Sequence, residues 1–212
     1  MEFHNAITIL KNGLQKPLPG VDAHLAMSPS PIDMRRFSPE RPKNHRKGAV
    51  LLMIYPDEQG QAFFPLIKRP EYDGVHSGQI ALPGGKMEPS DPDLIFTALR
   101  EASEEVGVNP NEVEILGQMT DLFITPSNFL VTPVIGLAHS KPDFIPEEKE
   151  VDRIILTTIS HLSRPEFKKR KFLELGENFR LDTPYFEIEQ EVVWGATAMI
   201  LGEFLQIMEN GK

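Results

Sequence analysis

Three glutamates, Glu101, Glu104 and Glu105, stand at i, i+3 and i+4 in a stretch with helical hydrophobic periodicity. In an α-helix this spacing brings the carboxylates onto one face, where like charges destabilise the helix by about 0.2–0.5 kcal/mol per pair. Arg100, four residues before Glu104, offsets only part of that repulsion. A cluster of hard oxygen ligands without His or Cys is typical of a Mg²⁺ or Mn²⁺ site. The helix alone leaves a solvated acidic stripe as the alternative.

The helix that carries these glutamates is predicted over residues 92–106. Its apolar residues recur at helical spacing: Leu94, Ile95, Ala98, Leu99, Ala102 and Val106. The sequence predicts Asp91 as the N-cap, Pro92 as the first helical residue and Gly107 as the residue that ends the helix.

A double glycine precedes this helix. Gly84 and Gly85 follow Pro83 at the end of a short strand predicted over residues 78–82. Consecutive glycines let the backbone approach a ligand closely, although an ordinary strand-ending turn has the same composition. The segment is not a P-loop, because Lys86 is followed by Met87 rather than by Ser or Thr.

The rest of the chain mixes strands and helices and predicts an α/β domain, a mixed sheet flanked by helices. Residues 1–46 are expected to form a helix at 2–12 and then a proline-rich extended arm packed on the core, with the main domain at 47–212. Strands are predicted at 47–55, 61–68, 114–124, 129–138, 151–159 and in parts of 171–188. A second core-facing helix is predicted at 195–208, with Trp194 in the core at its start.

The composition narrows the function classes. The chain has 31 Asp and Glu against 22 Lys and Arg, a net charge of −9, and residues 88–121 alone hold nine acids and a single base. An acidic chain is a poor partner for nucleic acid or for an anionic membrane surface. The absence of cysteine excludes a disulfide framework, a thiolate zinc site and a Cys nucleophile. The longest apolar run, residues 49–55, is far shorter than the roughly 20 residues of a membrane span. With no secretory signal pattern at the N-terminus, a cytoplasmic location is expected.

Residues 85–108 resemble the Nudix box, the signature of the Nudix hydrolases. Its second half matches position for position, as Arg100-Glu101-Ala102-Ser103-Glu104-Glu105-Val106-Gly107-Val108. Its first half is one residue longer than usual, with Asp91 or Glu88 where a Glu is expected. The same longer box occurs in the coenzyme A pyrophosphatase branch, which residues 66–85 resemble through Leu66-Ile67-Lys68-Arg69, His76-Ser77-Gly78-Gln79 and Leu82-Pro83-Gly84-Gly85. Departures from that branch are Ile67, Pro70, Gly74 and Leu82.

The resemblance implies a Nudix-like α/β/α sandwich and a metal-dependent diphosphatase. Mg²⁺ or Mn²⁺ would be held by Glu101, Glu104, Glu105 and the Gly85 carbonyl, with Arg100 orienting a glutamate. Substrate would be bound by Lys68, Arg69, His76 and Gly84. The general base is left open between a box glutamate and the acidic loop with Glu147, Glu148 and Glu150.

The substrate implied is coenzyme A or acyl-CoA, cleaved to adenosine 3′,5′-bisphosphate and a 4′-phosphopantetheine. No nucleic acid or membrane partner is implied, and a homodimer is compatible with the resemblance. Two alternatives remain: a Nudix pyrophosphatase acting on ADP-ribose or another nucleoside diphosphate derivative, and a catalytically silent Nudix module that senses a nucleotide or binds a protein.

Overall fold

A mixed eight-stranded sheet organises the chain in a computed structural model that describes residues 1–74, 76–174 and 180–212. Its strands are β1 (Arg46–Pro56), β2 (Ala62–Lys68), β3 (Ile80–Ala81), β4 (Gly84–Lys86), β5 (Val113–Gln118), β6 (Leu122–Ile124), β7 (Phe129–Ala138) and β8 (Arg153–Thr158). The central strands β1 and β7 are parallel, and every other pairing in the sheet is antiparallel. The predicted mixed sheet is therefore confirmed.

The helices are α1 (Phe3–Leu14), α2 (Gly20–Ala26), α3 (Leu94–Val106), α4 (Ile159–Leu162) and α5 (Gly195–Asn210). Alternation along β1 sends Leu51 and Met53 into a core beneath α3, and Leu52 and Ile54 into a second core beneath α1 and α5. Both faces of the sheet are thus covered by helices, which is the predicted sandwich.

The N-terminal region differs from the extended arm that was expected. The first helix is present, but the segment after it also contains α2 and a 3₁₀ helix at Met34–Phe37. Both α1 and α2 pack against α5. The seven residues of α2 are too few to produce a clear periodic signal among the prolines, so the sequence pattern missed the helix.

The predicted strand at 114–124 is interrupted, because β5 and β6 are separate strands that both pair with β7. A second, three-stranded sheet has the order β11-β10-β9, from β9 (Lys168–Glu174), β10 (Arg180–Ile188) and β11 (Glu191–Val193). No helix in the described ranges is long and apolar enough to cross a membrane.

Candidate active site

The double glycine lets β4 run directly beneath α3. Gly84 and Gly85 pair with Val50 and Ala49 of β1. A Cβ on Gly84, whose φ is 150°, would overlap the backbone of β1. A Cβ on Gly85 would overlap the carboxylate of Glu101. Glycine at both positions therefore allows a glutamate of the helix to approach the strand backbone.

Glu105 is buried at this contact, with only 1% of its surface exposed. Its Oε2 accepts a hydrogen bond of 2.7 Å from the amide of Gly84, and Nη2 of Arg69 lies 3.8 Å from its Oε1. Burial raises the pKa of Glu105 to about 7, although Arg69 and the Gly84 amide both act to lower it. The charge of Glu101 raises the same pKa further.

Glu101 is oriented by Arg100, as the sequence predicted for this arginine. Nη2 of Arg100 lies 2.9 Å from Glu101 Oε1 and also donates to the carbonyl of Lys86 at 3.0 Å. Burial raises the pKa of Glu101, and Arg100 offsets only part of that effect. The arginine does not line the cleft, so its place is behind the carboxylate.

Asp91 anchors Arg100 and is not the N-cap that the sequence predicted. Its two oxygens accept from Nε and Nη2 of Arg100 at 3.0 and 2.9 Å, and Oδ2 also accepts from Thr97 Oγ1. The hydrogen bonds from Arg100 hold the pKa of Asp91 well below its usual range. Asp93 caps the helix instead, by accepting from the amide of Phe96 at 2.8 Å. The helix therefore begins at Leu94.

Glu104 lies at the exposed edge of the helix face that carries Glu101 and Glu105, and it does not reach the cleft, contrary to the expectation for a metal ligand. Its side chain is 57% exposed, pairs with Nη1 of Arg100 at 2.9 Å and is not among the cleft-lining residues. Consecutive residues of a helix are rotated by about 100°, so Glu105 points at β4 while Glu104 points to solvent.

A loop tied to the end of α3 brings a further carboxylate to the cleft. Gly107 ends the helix in the left-handed conformation, as predicted. The helix carbonyls of Glu105 and Val106 accept 3.0 Å hydrogen bonds from the amides of Glu147 and Ile145. Of the acidic loop residues, Glu150 lines the cleft, and its charge raises the pKa values of Glu101 and Glu105.

The cleft has a volume of about 670 Å³ and joins three kinds of wall. Its carboxylate floor is Glu101, Glu105 and Glu150, next to Gly84 and Gly85. The loop after β2 forms a polar wall, which consists of Arg69, His76, Ser77 and Gln79. The apolar wall is formed by Ile124, Phe129, Val131, Trp194 and Ile200, and Arg36 also lines the cleft.

His76 is held in a constrained loop at the polar wall. Its φ of 74° lies in the left-handed region, which non-glycine residues seldom occupy. Its Nδ1 lies 2.9 Å from Oε1 of Gln79, and the carbonyl of Gln79 accepts from the amide of Arg69 at 3.0 Å. The loop therefore fixes His76 relative to the end of β2.

Lys68 lies outside the cleft, although the sequence grouped it with Arg69. Successive side chains of a strand point to opposite faces, so these neighbours at the end of β2 diverge. Nζ of Lys68 pairs with Oε1 of Glu191 at 2.9 Å, while Arg69 reaches the carbonyl of Gly84 at 3.4 Å.

Sequence reasoning missed two contributions to the cleft. Trp194, assigned to the core, is only partly buried and lines the cleft at the start of α5. Arg36 comes from the N-terminal region, and no motif pointed to this residue. Neither position carries a spacing pattern, because each reaches the cleft through packing between distant elements.

The floor suits a divalent cation held jointly by side chains and backbone. Within the described ranges no three His, Cys, Asp or Glu side chains are grouped closely enough to hold a metal ion by themselves. Glu101 and Glu105 nevertheless bring acceptor-only oxygens to the backbone of Gly84 and Gly85. Burial raises the pKa of both carboxylates, and Arg100 and Arg69 offset only part of that effect, so a bound cation would favour the ionised forms.

Comparison with known proteins identifies the family of the chain. Residues 45–183 match the model of the NUDIX domain. The chain is 31% identical over 179 residues to a Yersinia pestis protein named "Uncharacterized Nudix hydrolase NudL", covering 84% of this chain and 87% of that protein. It is 32% identical over 183 residues to "Nudix hydrolase 15, mitochondrial" of Arabidopsis thaliana, covering 83% of this chain but only 61% of that longer protein.

Among solved structures, the chain is similar to a Nudix hydrolase, RenU, from M. smegmatis. The TM-score is 0.47 at 21% identity, covering 58% of this chain and 79% of that one. The NUDIX domain model matches more than half of the chain, and the similarity to the Yersinia protein covers most of both chains. The chain therefore belongs to the Nudix hydrolase family.

Proposed function

We propose that this Nudix hydrolase cleaves the diphosphate of coenzyme A or acyl-CoA, giving adenosine 3′,5′-bisphosphate and a 4′-phosphopantetheine. The observation that carries the proposal is a carboxylate pair, the buried Glu105 and the partly buried Glu101, at the floor of a cleft of about 670 Å³. The similarity of residues 66–85 to the coenzyme A pyrophosphatase branch supports this substrate, because Arg69 and His76 both line the cleft.

Glu101, Glu105 and the carbonyl of Gly85 would hold the cation, for which we propose Mg²⁺ or Mn²⁺. Nudix hydrolases generally use divalent metal ions, and a bound cation neutralises phosphate oxygens and acidifies a water molecule. Arg100 fixes the carboxylate of Glu101 before the cation arrives, which lowers the entropic cost of assembling the site. Glu104 is 57% exposed and lies outside the cleft lining, so it is not among the ligands that we propose.

Glu150 is our candidate for the proton acceptor. It lines the cleft and is positioned by the loop bonded to the end of α3. Water attacks one phosphorus, its proton passes to the Glu150 carboxylate, and the bridging P–O bond breaks to release the other phosphate as the leaving group. Arg69 and His76, on the adjoining wall, would bind the diphosphate oxygens.

Two alternatives share this cleft. ADP-ribose and other nucleoside diphosphate derivatives present the same diphosphate to the carboxylate floor, and differ from coenzyme A only in the groups beyond it. A silent binding module would not need Glu105 buried where burial raises its pKa to about 7, which is a costly place for a carboxylate without a role.

A substrate panel separates these alternatives. The purified chain is assayed with Mg²⁺ and with Mn²⁺ on coenzyme A, acetyl-CoA, ADP-ribose, NADH and a nucleoside triphosphate, and products are identified by mass spectrometry. We expect the highest kcat/KM for coenzyme A or acetyl-CoA. Turnover of ADP-ribose alone would replace the coenzyme A proposal, and turnover of none would favour the silent module.

A further inference from the structure

Arg36 places a positive charge in the cleft that the proposed hydrolysis does not use. It lies on the 3₁₀ helix Met34–Phe37, is partly buried and lines the cleft. Within the described part of the chain, its guanidinium makes no side-chain hydrogen bond and no ion pair. Burial lowers the pKa of Arg36, and the charge of Asp33 offsets only part of that effect, yet arginine stays protonated in proteins.

The nearby carboxylate is already occupied. Asp33 accepts from Nε and Nη2 of the neighbouring Arg35 at 2.8 and 2.9 Å, and also from Thr125 Oγ1 at 2.6 Å. Arg35 is 80% exposed, so it completes the local ion pair on the outside while Arg36 is left facing the cleft. Among the described residues, the guanidinium of Arg36 therefore forms no ion pair with a carboxylate, although the chain has a net charge of −9. Such a group can bind an anionic group of a ligand.

Strand order places this charge away from the diphosphate floor. The 3₁₀ helix packs against β6, while Gly84 and Gly85 belong to β4. The strands lie side by side as β4, β1, β7 and β6. β4 and β6 are therefore three strand spacings apart, which is about 14 Å between their backbones. An anion at Arg36 is therefore a different group of the ligand from the diphosphate bound over Glu101 and Glu105.

We propose that Arg36 binds a second phosphate of the substrate and thereby sets its specificity. This inference rests on the proposed function, within which coenzyme A carries such a phosphate on its ribose 3′ oxygen. Dephospho-coenzyme A and ADP-ribose have the same diphosphate but lack that group. The unpaired arginine thus favours a 3′-phosphorylated nucleotide over ADP-ribose.

The test crosses enzyme variants with substrates. Arg36→Gln and the control Arg41→Gln, at an exposed arginine outside the cleft lining, are compared with the wild type on coenzyme A and dephospho-coenzyme A. We expect Arg36→Gln to raise KM for coenzyme A about ten- to a hundredfold, the range for a lost hydrogen bond to a charged group, and to leave KM for dephospho-coenzyme A unchanged. Arg36→Lys should recover part of the loss, and Arg41→Gln should alter neither KM. A structural defect would raise both KM values alike, and that result would overturn the proposal.

A binding experiment judges Arg36 independently of turnover. Adenosine 3′,5′-bisphosphate and AMP are titrated into the wild type and Arg36→Gln by calorimetry. We expect the wild type to bind the bisphosphate at least tenfold more tightly than AMP, and Arg36→Gln to bind the two equally. If the wild type shows no preference, or binds neither, Arg36 is not a phosphate site. Absence of turnover combined with the preference would refute the hydrolase proposal and keep the phosphate site.

Discussion

Glu105 is a buried carboxylate, and its burial disfavours ionisation at the floor of the cleft. The Gly84 amide and Arg69 compensate for only part of the lost hydration. Glu104, its neighbour in sequence, stays in solvent and pairs with Arg100. The two residues are equivalent in the Nudix-like motif, and only the closeness of α3 to β4 distinguishes them.

Cation binding should therefore depend on pH. A group whose folded pKa is raised to about 7 holds its proton below that pH, and the proton then competes with the cation. We expect Mn²⁺ affinity of the wild type to fall up to about tenfold between pH 7 and pH 6, measured by calorimetric titration. Glu105→Gln should bind Mn²⁺ weakly at both pH values. Equal affinity of the wild type at both would contradict the role given to Glu105.

Glu150 should affect catalysis more than binding. If its carboxylate accepts the proton from water, Glu150→Gln should lower kcat about 10²–10⁴-fold with KM within a few fold of the wild type. The matched control is Glu148→Gln, which changes an exposed carboxylate of the same loop. Steady-state kinetics with coenzyme A test this role. If Glu150→Gln had the same kcat as the control, another group would be the proton acceptor.

At the scale of elements, the junction between α3 and the loop at 145–150 positions two parts of the site. The amides of Ile145 and Glu147 complete the C-terminal end of the helix, and the same loop places Glu150 at the cleft. The helix end at Gly107 could be predicted because glycine commonly ends helices in this conformation. The helix start could not, because Arg100, nine residues further along the chain, engages Asp91 and leaves the cap to Asp93.

Gly107→Ala should disturb this junction. Gly107 has a φ of 74°, and an added Cβ would lie 3.1 Å from Cβ of Ile145. We expect a loss of roughly 1–2 kcal/mol in the free energy of unfolding, from urea denaturation, together with a lower kcat as the loop shifts. Gly60→Ala is the control, because Gly60 has nearly the same φ of 75° in a hairpin loop that does not line the cleft. If both variants kept wild-type kcat, the loop would not position the site.

Across the whole molecule, α/β patterning could be predicted and the contribution of the N-terminal region could not. β7 was predicted at the residues where it occurs, since its continuous apolar run is typical of a buried central strand. β1 was assigned from its apolar run, and α5 from apolar residues at helical spacing. The segment between the first helix and residue 46 has no clear pattern, yet it supplies α2 to the fold and Arg36 to the cleft. The sequence also shows that the excess negative charge lies in the segment around α3. Which of these carboxylates line the cleft and which face solvent depends on how α3 packs against β4, and this could not be predicted.

A buried polar network connects α2 to the rest of the molecule. Glu203 of α5 is fully buried and accepts from His24 at 3.0 Å, the Gly20 amide at 3.0 Å, and the amide and hydroxyl of Thr120 at 3.2 and 2.6 Å. Burial acts to raise the pKa of Glu203, but the hydrogen bonds from His24 and Thr120 outweigh it and lower the pKa. Its contribution to stability is therefore present at neutral pH and declines as the pH falls below about 4.

Glu203→Ala should destabilise the fold by about 3–5 kcal/mol, because the buried His24 and the partly buried Gly20 and Thr120 keep donors without an acceptor. Urea denaturation at pH 7 measures the loss, with Glu209→Ala, an exposed position on the same helix, as the control. The difference between Glu203→Ala and the wild type should shrink as the pH falls below about 4. A loss below about 1 kcal/mol would show that the network contributes little.

The central claim is that two carboxylates in the C-terminal half of α3, the buried Glu105 and the partly buried Glu101, support metal-dependent hydrolysis of a diphosphate. Its most direct test is turnover of coenzyme A at pH 8 with Mg²⁺ by the wild type, Glu105→Gln and the exposed control Glu58→Gln, each shown by circular dichroism to be folded. We predict hydrolysis by the wild type and by Glu58→Gln, loss of at least about 10³-fold in kcat for Glu105→Gln, and no turnover with excess chelator. Wild-type turnover by Glu105→Gln, or turnover that persists without divalent cations, would contradict the account.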